Sequence, residues 1–133
     1  MTPTLSLDVN DFKDILDGMV DGVITINQHG IILSFNKTAK TMFGYKLEEV
    51  VGKNVSILMP EPDRSAHDSY LHNHVTTGNA HIIGIGRDVM AQKKDGTTFP
   101  IYLSVIEYPA KVEGDRWFIG SCREITLQKQ QEE

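Results

Sequence analysis

The residues best suited to chemistry are a histidine on an apolar helix face and an arginine in an aliphatic strand row. On the helix predicted to be capped by Asp63, five side chains fall at i, i+3, i+4, i+7 and i+8: His67, Tyr70, Leu71, His74 and Val75. An imidazole on such a face can be a hydrogen-bonded core residue, which is the commoner case, or a ligand to a metal ion or heme iron. Spacing alone leaves both interpretations open.

The arginine is Arg87, which alternates with aliphatic residues in a predicted strand over 81–92. Ile83, Ile85 and Val89 share its face of that strand. A guanidinium left against apolar neighbours costs free energy unless an acceptor meets it, so Arg87 predicts a partner inside or at the rim of a pocket. The alternative is that Arg87 reaches water near the strand end or pairs with an acid such as Glu107.

Patterns typical of catalytic and metal sites are missing from the chain. Leu71 occupies the i+4 position after His67, so no two-histidine zinc face of that spacing exists. The fragment "GIGR" lacks the third glycine of a dinucleotide-binding loop, and no serine lies in a nucleophile elbow. The single cysteine, Cys122, cannot form an intrachain disulfide and is predicted to be a buried small hydrophobe. We therefore expect a domain that is not itself an enzyme.

Composition narrows the class of protein further. The chain has 133 residues, 40% of them hydrophobic and 23% charged, which suits one globular domain. The net charge is -5 and no basic run occurs, so we expect no nucleic-acid partner. No apolar run approaches the length of a membrane span and no targeting segment opens the chain. The expectation is a cytoplasmic domain without membrane contact.

The hydrophobic period predicts the order of the elements. An amphipathic helix is predicted over 8–21, closed by Gly22, with an apolar stripe on one face: Val9, Phe12, Ile15, Leu16, Met19 and Val20. A hairpin follows around "QHG", and then two short helices end at Gly44 and Gly52, the first capped by Asn36. Strands are predicted over 81–92, 97–108 and 116–126, with "KKDG" as the first turn. A helix this short is marginal with its stripe uncovered, so the stripe is expected to pack on the chain's own sheet, on a second subunit through self-association, or on both.

Two long stretches in this order, "DGVITINQHGIILSFNKTAKTMFGYKLEEVVGKN" and "GRDVMAQKKDGTTFPIYLSVIE", resemble a PAS domain. The resemblance covers about residues 11–127. It implies an α+β fold in which a five-stranded antiparallel sheet has helices packed on one face, with a pocket between the sheet and the helix that carries His67. The predicted organisation is an N-terminal amphipathic helix over 1–21, a PAS sensor core over 22–126 and the start of a C-terminal signalling linker over 127–133.

Within the PAS family, "ILMPEPDRSAHDSYL" followed by "HIIGIGR" is most similar to the heme-binding domains of FixL-type oxygen-sensor kinases. This resemblance implies heme b with His67 as the iron ligand, Arg87 as the hydrogen-bond donor to oxygen or a propionate, and His81 as a propionate contact. The other implied cofactor-binding residues are Met59, Tyr70, Leu71, Ile85, Leu103 and Val105. One departure is Asn73, which stands where that group has a propionate-pairing arginine.

The resemblance also implies partners. They are oxygen or another diatomic gas, a second copy in a parallel homodimer through the N-terminal helix, and a C-terminal output domain. The parent protein would be a two-component histidine kinase or a cyclic-dinucleotide enzyme. The alternative is a PAS module with an empty pocket, or with flavin (FAD) or another ligand, that acts in dimerisation and signal relay.

Overall fold

The computed structural model describes residues 8–61, 63–65, 86–109 and 116–125. In this part of the chain a five-stranded antiparallel sheet of order β2-β1-β5-β4-β3 packs against short helices, which confirms the predicted fold. The elements are α1 Val9–Asp17, β1 Gly22–Asn27, β2 Ile32–Phe35, α2 Lys37–Phe43, α3 Leu47–Val50, a 3-10 helix Val55–Leu58, β3 Arg87–Gln92, β4 Thr98–Pro109 and β5 Arg116–Glu124.

The core lies between one face of the sheet, here called the inner face, and the helices. The buried inner-face side chains are Ile24, Ile26, Ala91, Phe99, Ile101, Phe118 and Cys122. On the helical side, the centroid of the Phe43 ring lies 5.9 Å from the ring centroid of Phe35 and 5.5 Å from that of Phe99. Alternate residues of the strands therefore form an apolar surface that continues from β1 through β5 and β4 to β3.

The short helices and turns between strands begin and end as their local chemistry predicts. Asn36 caps α2 by accepting a hydrogen bond from the Ala39 backbone N–H at 3.0 Å, and Gly44 ends it in the left-handed region with φ 78°. In the β3–β4 turn the Lys93 N–H donates to the Thr97 carbonyl at 2.8 Å, and Gly96 has φ 91°. These positive φ values explain why glycine stands at the two positions.

The N-terminal helix α1 is shorter than predicted. It ends at Asp17 with Gly18 as its cap, instead of continuing to residue 21. The helix ends early because tertiary hydrogen bonds hold the chain after Asp17 to the rest of the fold. The Asn36 side-chain Nδ2 donates to the Leu16 carbonyl at 2.7 Å and to the Asp21 carbonyl at 3.0 Å. The Thr38 hydroxyl donates to the Met19 carbonyl at 2.6 Å. Carbonyls used in this way hold residues 18–21 in a turn followed by bends, in place of a last helical turn.

The apolar stripe of α1 is exposed. No residue of this helix is buried, and Val9 and Phe12 are 84% and 55% exposed. The opposite face of the sheet, here called the outer face, also carries exposed apolar side chains: Met90, Tyr102, Ile106 and Tyr108. Of the stripe, Leu16 is half-buried and the other five residues are exposed, so in the described part of the chain most of the stripe is uncovered. No helix in the described part is long and apolar enough to cross a membrane.

One prediction about the middle of the chain is wrong, and another concerns residues that are only partly described. Residues 63–65 are already helical, and the Arg64 N–H donates to the Pro60 carbonyl at 3.0 Å, so Asp63 lies inside the first turn and does not cap it. The described part of the first long strand begins at Arg87, and the predicted portion over 81–85 lies outside the described residues.

Candidate ligand-binding face

The inner face of β3, β4 and β5 ends in an aliphatic patch beside an arginine. Arg87 pairs with Leu103, Leu103 pairs with Cys122, and Val105 pairs with Gly120 in the antiparallel register. Leu103 and Val105 are half-buried and pack against the core. Residue 120 is a glycine, and Leu103 Cδ1 lies 3.6 Å from the place where its Cβ would stand. The sheet therefore presents aliphatic side chains with a cationic residue at its edge.

Arg87 is the first residue of the edge strand β3 and is exposed. The acid considered as its alternative partner, Glu107, lies four residues along β4 from Leu103, which is about 13 Å at the strand rise. The Glu107 carboxylate Oε2 is instead 3.8 Å from Nε of Arg116 on β5. The structure thus pairs Glu107 with Arg116, at the opposite end of the inner face from Arg87.

Met59 is half-buried and directly follows the 3-10 helix, which contacts β3. Its carbonyl accepts a hydrogen bond from Arg64 Nε at 3.0 Å, and the Ile57 carbonyl accepts from Arg64 Nη2 at 3.2 Å. Arg64 thereby fixes the first helical residues, 63–65, to the 3-10 helix. In sequence, those residues lead to His67.

Of the predicted cofactor-binding residues, the structure describes Met59, Arg87, Leu103 and Val105. It brings Arg87, Leu103 and Val105 together on one face and places Met59 in the helical layer. The others lie outside the described residues, and their roles stay predictions: His67, Tyr70, Leu71, His81 and Ile85, together with the departure at Asn73. Among the described residues, no group of three or more His, Cys, Asp and Glu side chains suits a metal ion.

Cys122 lies on the inner face beside the aliphatic patch, and its thiol is unreactive. It is buried on β5 beside Leu103, as predicted. Burial, and secondarily the negative charge of Asp21, raise the pKa of its thiol to about 12. A thiol with so high a pKa supplies almost no thiolate near neutral pH, so Cys122 does not act as a nucleophile in the native fold.

Two contacts that bear on the site were missed by the sequence analysis. Asp21 accepts hydrogen bonds from the Ser121 hydroxyl and from Arg123 Nε, both at 2.9 Å, and so ties the linker after α1 to β5. Gly86, next to Arg87, lies under the ring of Tyr102. The glycine in "GIGR" was an available signal for the second contact, since a glycine near a strand often marks a close approach.

The comparison with protein families agrees with this geometry. A family model described as the PAS fold matches residues 10–121. The chain belongs to the PAS family. This PAS domain is 47% identical over 118 residues to the sensor protein FixL of Bradyrhizobium diazoefficiens, and the match covers 89% of this chain and 23% of FixL. It is 30% identical over 122 residues to the oxygen sensor protein DosP of Escherichia coli, covering 92% of this chain and 15% of DosP.

The PAS domain thus spans less than a quarter of the length of these two relatives. Among solved structures, the PAS domain of a protein from Colwellia psychrerythraea matches with a TM-score of 0.72 and 21% identity. That match covers 90% of this chain and 98% of the other. At this level of identity the likeness shows the fold alone. It agrees with the five-stranded sheet described above.

Proposed function

We propose that this PAS domain is the sensory module of a bacterial signal-transduction protein and that it binds heme b to detect oxygen or another diatomic gas. The observation that carries the proposal is the inner-face patch, where Leu103 and Val105 form a half-buried aliphatic surface next to Arg87. The similarity to proteins named as a sensor and as an oxygen sensor supports it.

The residues suit a heme because the chain offers an apolar contact surface, an iron ligand and a charged hydrogen-bond donor. Leu103 and Val105 offer the apolar contact that a porphyrin face requires, and His67 offers a neutral imidazole nitrogen for the iron. Arg87 offers five N–H donors of fixed positive charge for a propionate or a polar diatomic ligand. When bound, the heme would supply a ferrous iron that takes up the gas. Asn73 supplies no charge, so the propionate contacts would come from Arg87 and from His81 or His74.

The position of the Arg87 side chain would depend on whether a ligand occupies the pocket. A charge-assisted hydrogen bond from its guanidinium is stronger than a neutral one, so a change of acceptor favours a different position of the side chain. Arg87 begins β3, which is hydrogen-bonded to β4, and β4 is hydrogen-bonded to β5. A shift at Arg87 therefore has a continuous path through the sheet to the strand that precedes the proposed signalling linker, residues 127–133.

Heme uptake is the decisive test. The chain reconstituted with hemin is expected to show a Soret band, and the His67→Ala variant is expected to lack the band or show it strongly altered. His29→Ala is the matched control, because His29 lies in the exposed β1–β2 turn and its loss should leave the spectrum unchanged. A wild-type chain that takes up no heme under reducing or oxidising conditions would contradict the proposal.

The second candidate function is a relay module with an empty pocket, FAD or another ligand. Its relay contacts would use the exposed stripe of α1 and the exposed apolar outer face, which suit contact with a second copy whether or not the pocket holds heme. Under either function, we propose a homodimer through the N-terminal helix, a C-terminal output domain and a cytoplasmic location. The chain itself would have no catalytic activity. The output would come from a histidine kinase or cyclic-dinucleotide enzyme domain elsewhere in the parent protein.

A further inference from the structure

The Tyr102 ring lies where a side chain at position 86 would stand, so a larger residue there requires the ring to move. A Cβ added to Gly86 would lie 1.9 Å from the Tyr102 hydroxyl oxygen and 2.2 Å from Cζ of the same ring. Gly86 does not have a positive φ, so its backbone conformation does not require glycine. The requirement comes from the tyrosine ring, which occupies the place of the missing side chain.

The Tyr102 ring and the Arg87 side chain lie on opposite sides of the β3 backbone. Tyr102 pairs with Asp88 across the β3–β4 ladder, and its ring reaches diagonally to Gly86, two residues earlier on β3. Arg87, between Gly86 and Asp88, points by alternation to the inner face. The Tyr102 ring therefore contacts the outer side of the backbone at Gly86, and the Arg87 side chain leaves the next residue on the inner side.

This end of β3 lies at the edge of the described sheet. β3 is an edge strand, so only β4 pairs with it in the described sheet, and its ladder begins at Arg87. Tyr102 is 45% exposed on the outer face, where a protein partner can also reach it. One side chain thus contacts both the outer surface and the backbone next to the patch.

We infer that Tyr102 is a positioning residue, which fixes the backbone at Gly86 and thereby sets where the Arg87 guanidinium lies on the inner face. This inference rests on the proposed function, because it gives Arg87 a task at the ligand. It goes further in assigning an outer-face residue to the control of that task. A partner that moves the Tyr102 ring would change the hydrogen bonding of Arg87 on the other side of the sheet.

The contact itself is tested without any cofactor by a double-mutant cycle in urea unfolding. Gly86→Ala is expected to lower the unfolding midpoint, since the new methyl group has no space under the ring. Combined with Tyr102→Ala, the same substitution is expected to cost much less, because the ring is gone. Strictly additive midpoint shifts would overturn the inference.

The positioning of Arg87 is tested by NMR on the chain as purified, with the Arg87 Nε–H signal assigned by Arg87→Lys. Tyr102→Ala is expected to shift or broaden this signal, and Tyr102→Phe, which keeps the ring, is expected to leave it near the wild-type position. Tyr108→Ala is the matched control: Tyr108 lies on the same strand and face, is 51% exposed, and stacks on Trp117 instead. An Arg87 signal that responds equally to Tyr108→Ala, or not at all to Tyr102→Ala, would overturn the inference.

Ligand kinetics link the positioning to the proposed function. In the heme-loaded chain, Tyr102→Ala is expected to speed oxygen dissociation by roughly three- to tenfold through a weakened Arg87 hydrogen bond, with little effect on carbon monoxide. In an Arg87→Ala background the same change is expected to have no further effect on oxygen. An undiminished effect in that background would overturn the inference. A chain that binds no heme would remove the gas-sensor proposal alone, while the unfolding cycle and the Arg87 signal still decide the role of Tyr102.

Discussion

Arg87 is the residue at which the two functional interpretations differ most. If it donates a charged hydrogen bond to oxygen, that bond contributes roughly 1.5 to 3 kcal/mol, so Arg87→Ala is expected to speed oxygen dissociation by about ten- to hundredfold. Carbon monoxide, a poorer hydrogen-bond acceptor, should be affected much less. Stopped-flow measurement of both gases checks this.

The matched control is Arg116→Ala, which removes an arginine from the far end of the same face, where it pairs with Glu107. This variant should leave both dissociation rates unchanged. Equal acceleration of oxygen and carbon monoxide by Arg87→Ala would contradict the assignment of Arg87 to oxygen, and a loss of stability alone would favour a purely structural role.

Asn36 is the buried polar residue that joins the N-terminal segment to the core. Only 5% exposed, it accepts hydrogen bonds from the N–H groups of Val23 and Ala39 and donates to the carbonyls of Leu16 and Asp21. Asn36→Ala leaves these four groups without the side chain that serves them, so we expect a loss of about 3 kcal/mol in the free energy of unfolding. Urea denaturation followed by circular dichroism measures it.

Asn27→Ala provides the comparison for Asn36. The Asn27 side chain accepts two hydrogen bonds within the β1–β2 turn, from the N–H groups of His29 and Ile31, and is only half-buried. Its loss should cost about 1 kcal/mol. Similar losses for the two variants would show that the long-range hydrogen bonds of Asn36 add nothing beyond a local turn contact.

Among the elements, the β3–β4 hairpin is attached to the helical layer through its turn. The Lys94 N–H donates to the Phe43 carbonyl at 2.9 Å, and the Lys94 ammonium forms an ion pair with Glu49 at the surface of α3. The hydrogen bond from Lys94, followed by that from the Lys46 backbone, lowers the pKa of Glu49 below its ordinary 4.5. The hydrogen bond to Glu49 raises the pKa of Lys94 above 10.5.

The pH dependence of this attachment follows from the signs of those shifts. A carboxyl with a lowered folded-state pKa stabilises the fold above about pH 4.5, and this contribution is lost as the pH falls through the lowered pKa. A lysine with a raised pKa stabilises below about pH 10.5 and loses that contribution only as the pH rises through its raised value. The ion pair therefore contributes across the neutral range.

Glu49→Gln is expected to lower the urea midpoint slightly near pH 7, and its difference from wild type is expected to shrink as the pH falls through the lowered pKa of Glu49. Glu48→Gln, its exposed neighbour on α3, is the control and should change the midpoint by much less at neutral pH. A Glu49→Gln effect that persists undiminished at acid pH would exclude the ion pair as its source.

The elements also show which features a sequence can predict. Asn36 as a cap, Gly44 as a helix end and "KKDG" as a turn depend on residues close in sequence, so local patterns identified them. The early end of α1 and the Tyr102–Gly86 contact depend on partners from distant segments, which periodicity does not contain. Strand parity did place Arg87 on the same face as Val89, because side-chain alternation is a local property of a strand, whereas the pairing of Arg87 with Leu103 came only from the structure.

For the whole molecule, the main question is what covers α1. Dimerisation through this helix predicts that the chain self-associates and that Phe12→Glu, in the middle of the exposed stripe, makes it monomeric, because a charge in an apolar interface is costly. A truncated chain starting at Gly22 should also be monomeric. Sedimentation equilibrium at high micromolar concentration measures both.

Leu33→Glu is the control for this experiment, because Leu33 is an exposed apolar residue on β2 and lies outside the stripe. It should leave the dimer intact. A wild-type chain that stays monomeric, or a truncated chain that associates equally well, would contradict dimerisation through α1.

The position of β5 between β1 and β4 has a consequence for synthesis on the ribosome. Gly22 pairs with Cys122 and Asn27 pairs with Trp117, so the central ladder joins strands made near opposite ends of the chain. The β1–β2 hairpin can form as soon as it emerges, but β1 must wait for nearly the whole domain before its second neighbour exists. Until then one edge of β1 is unpaired, and an unpaired strand edge can pair with another chain.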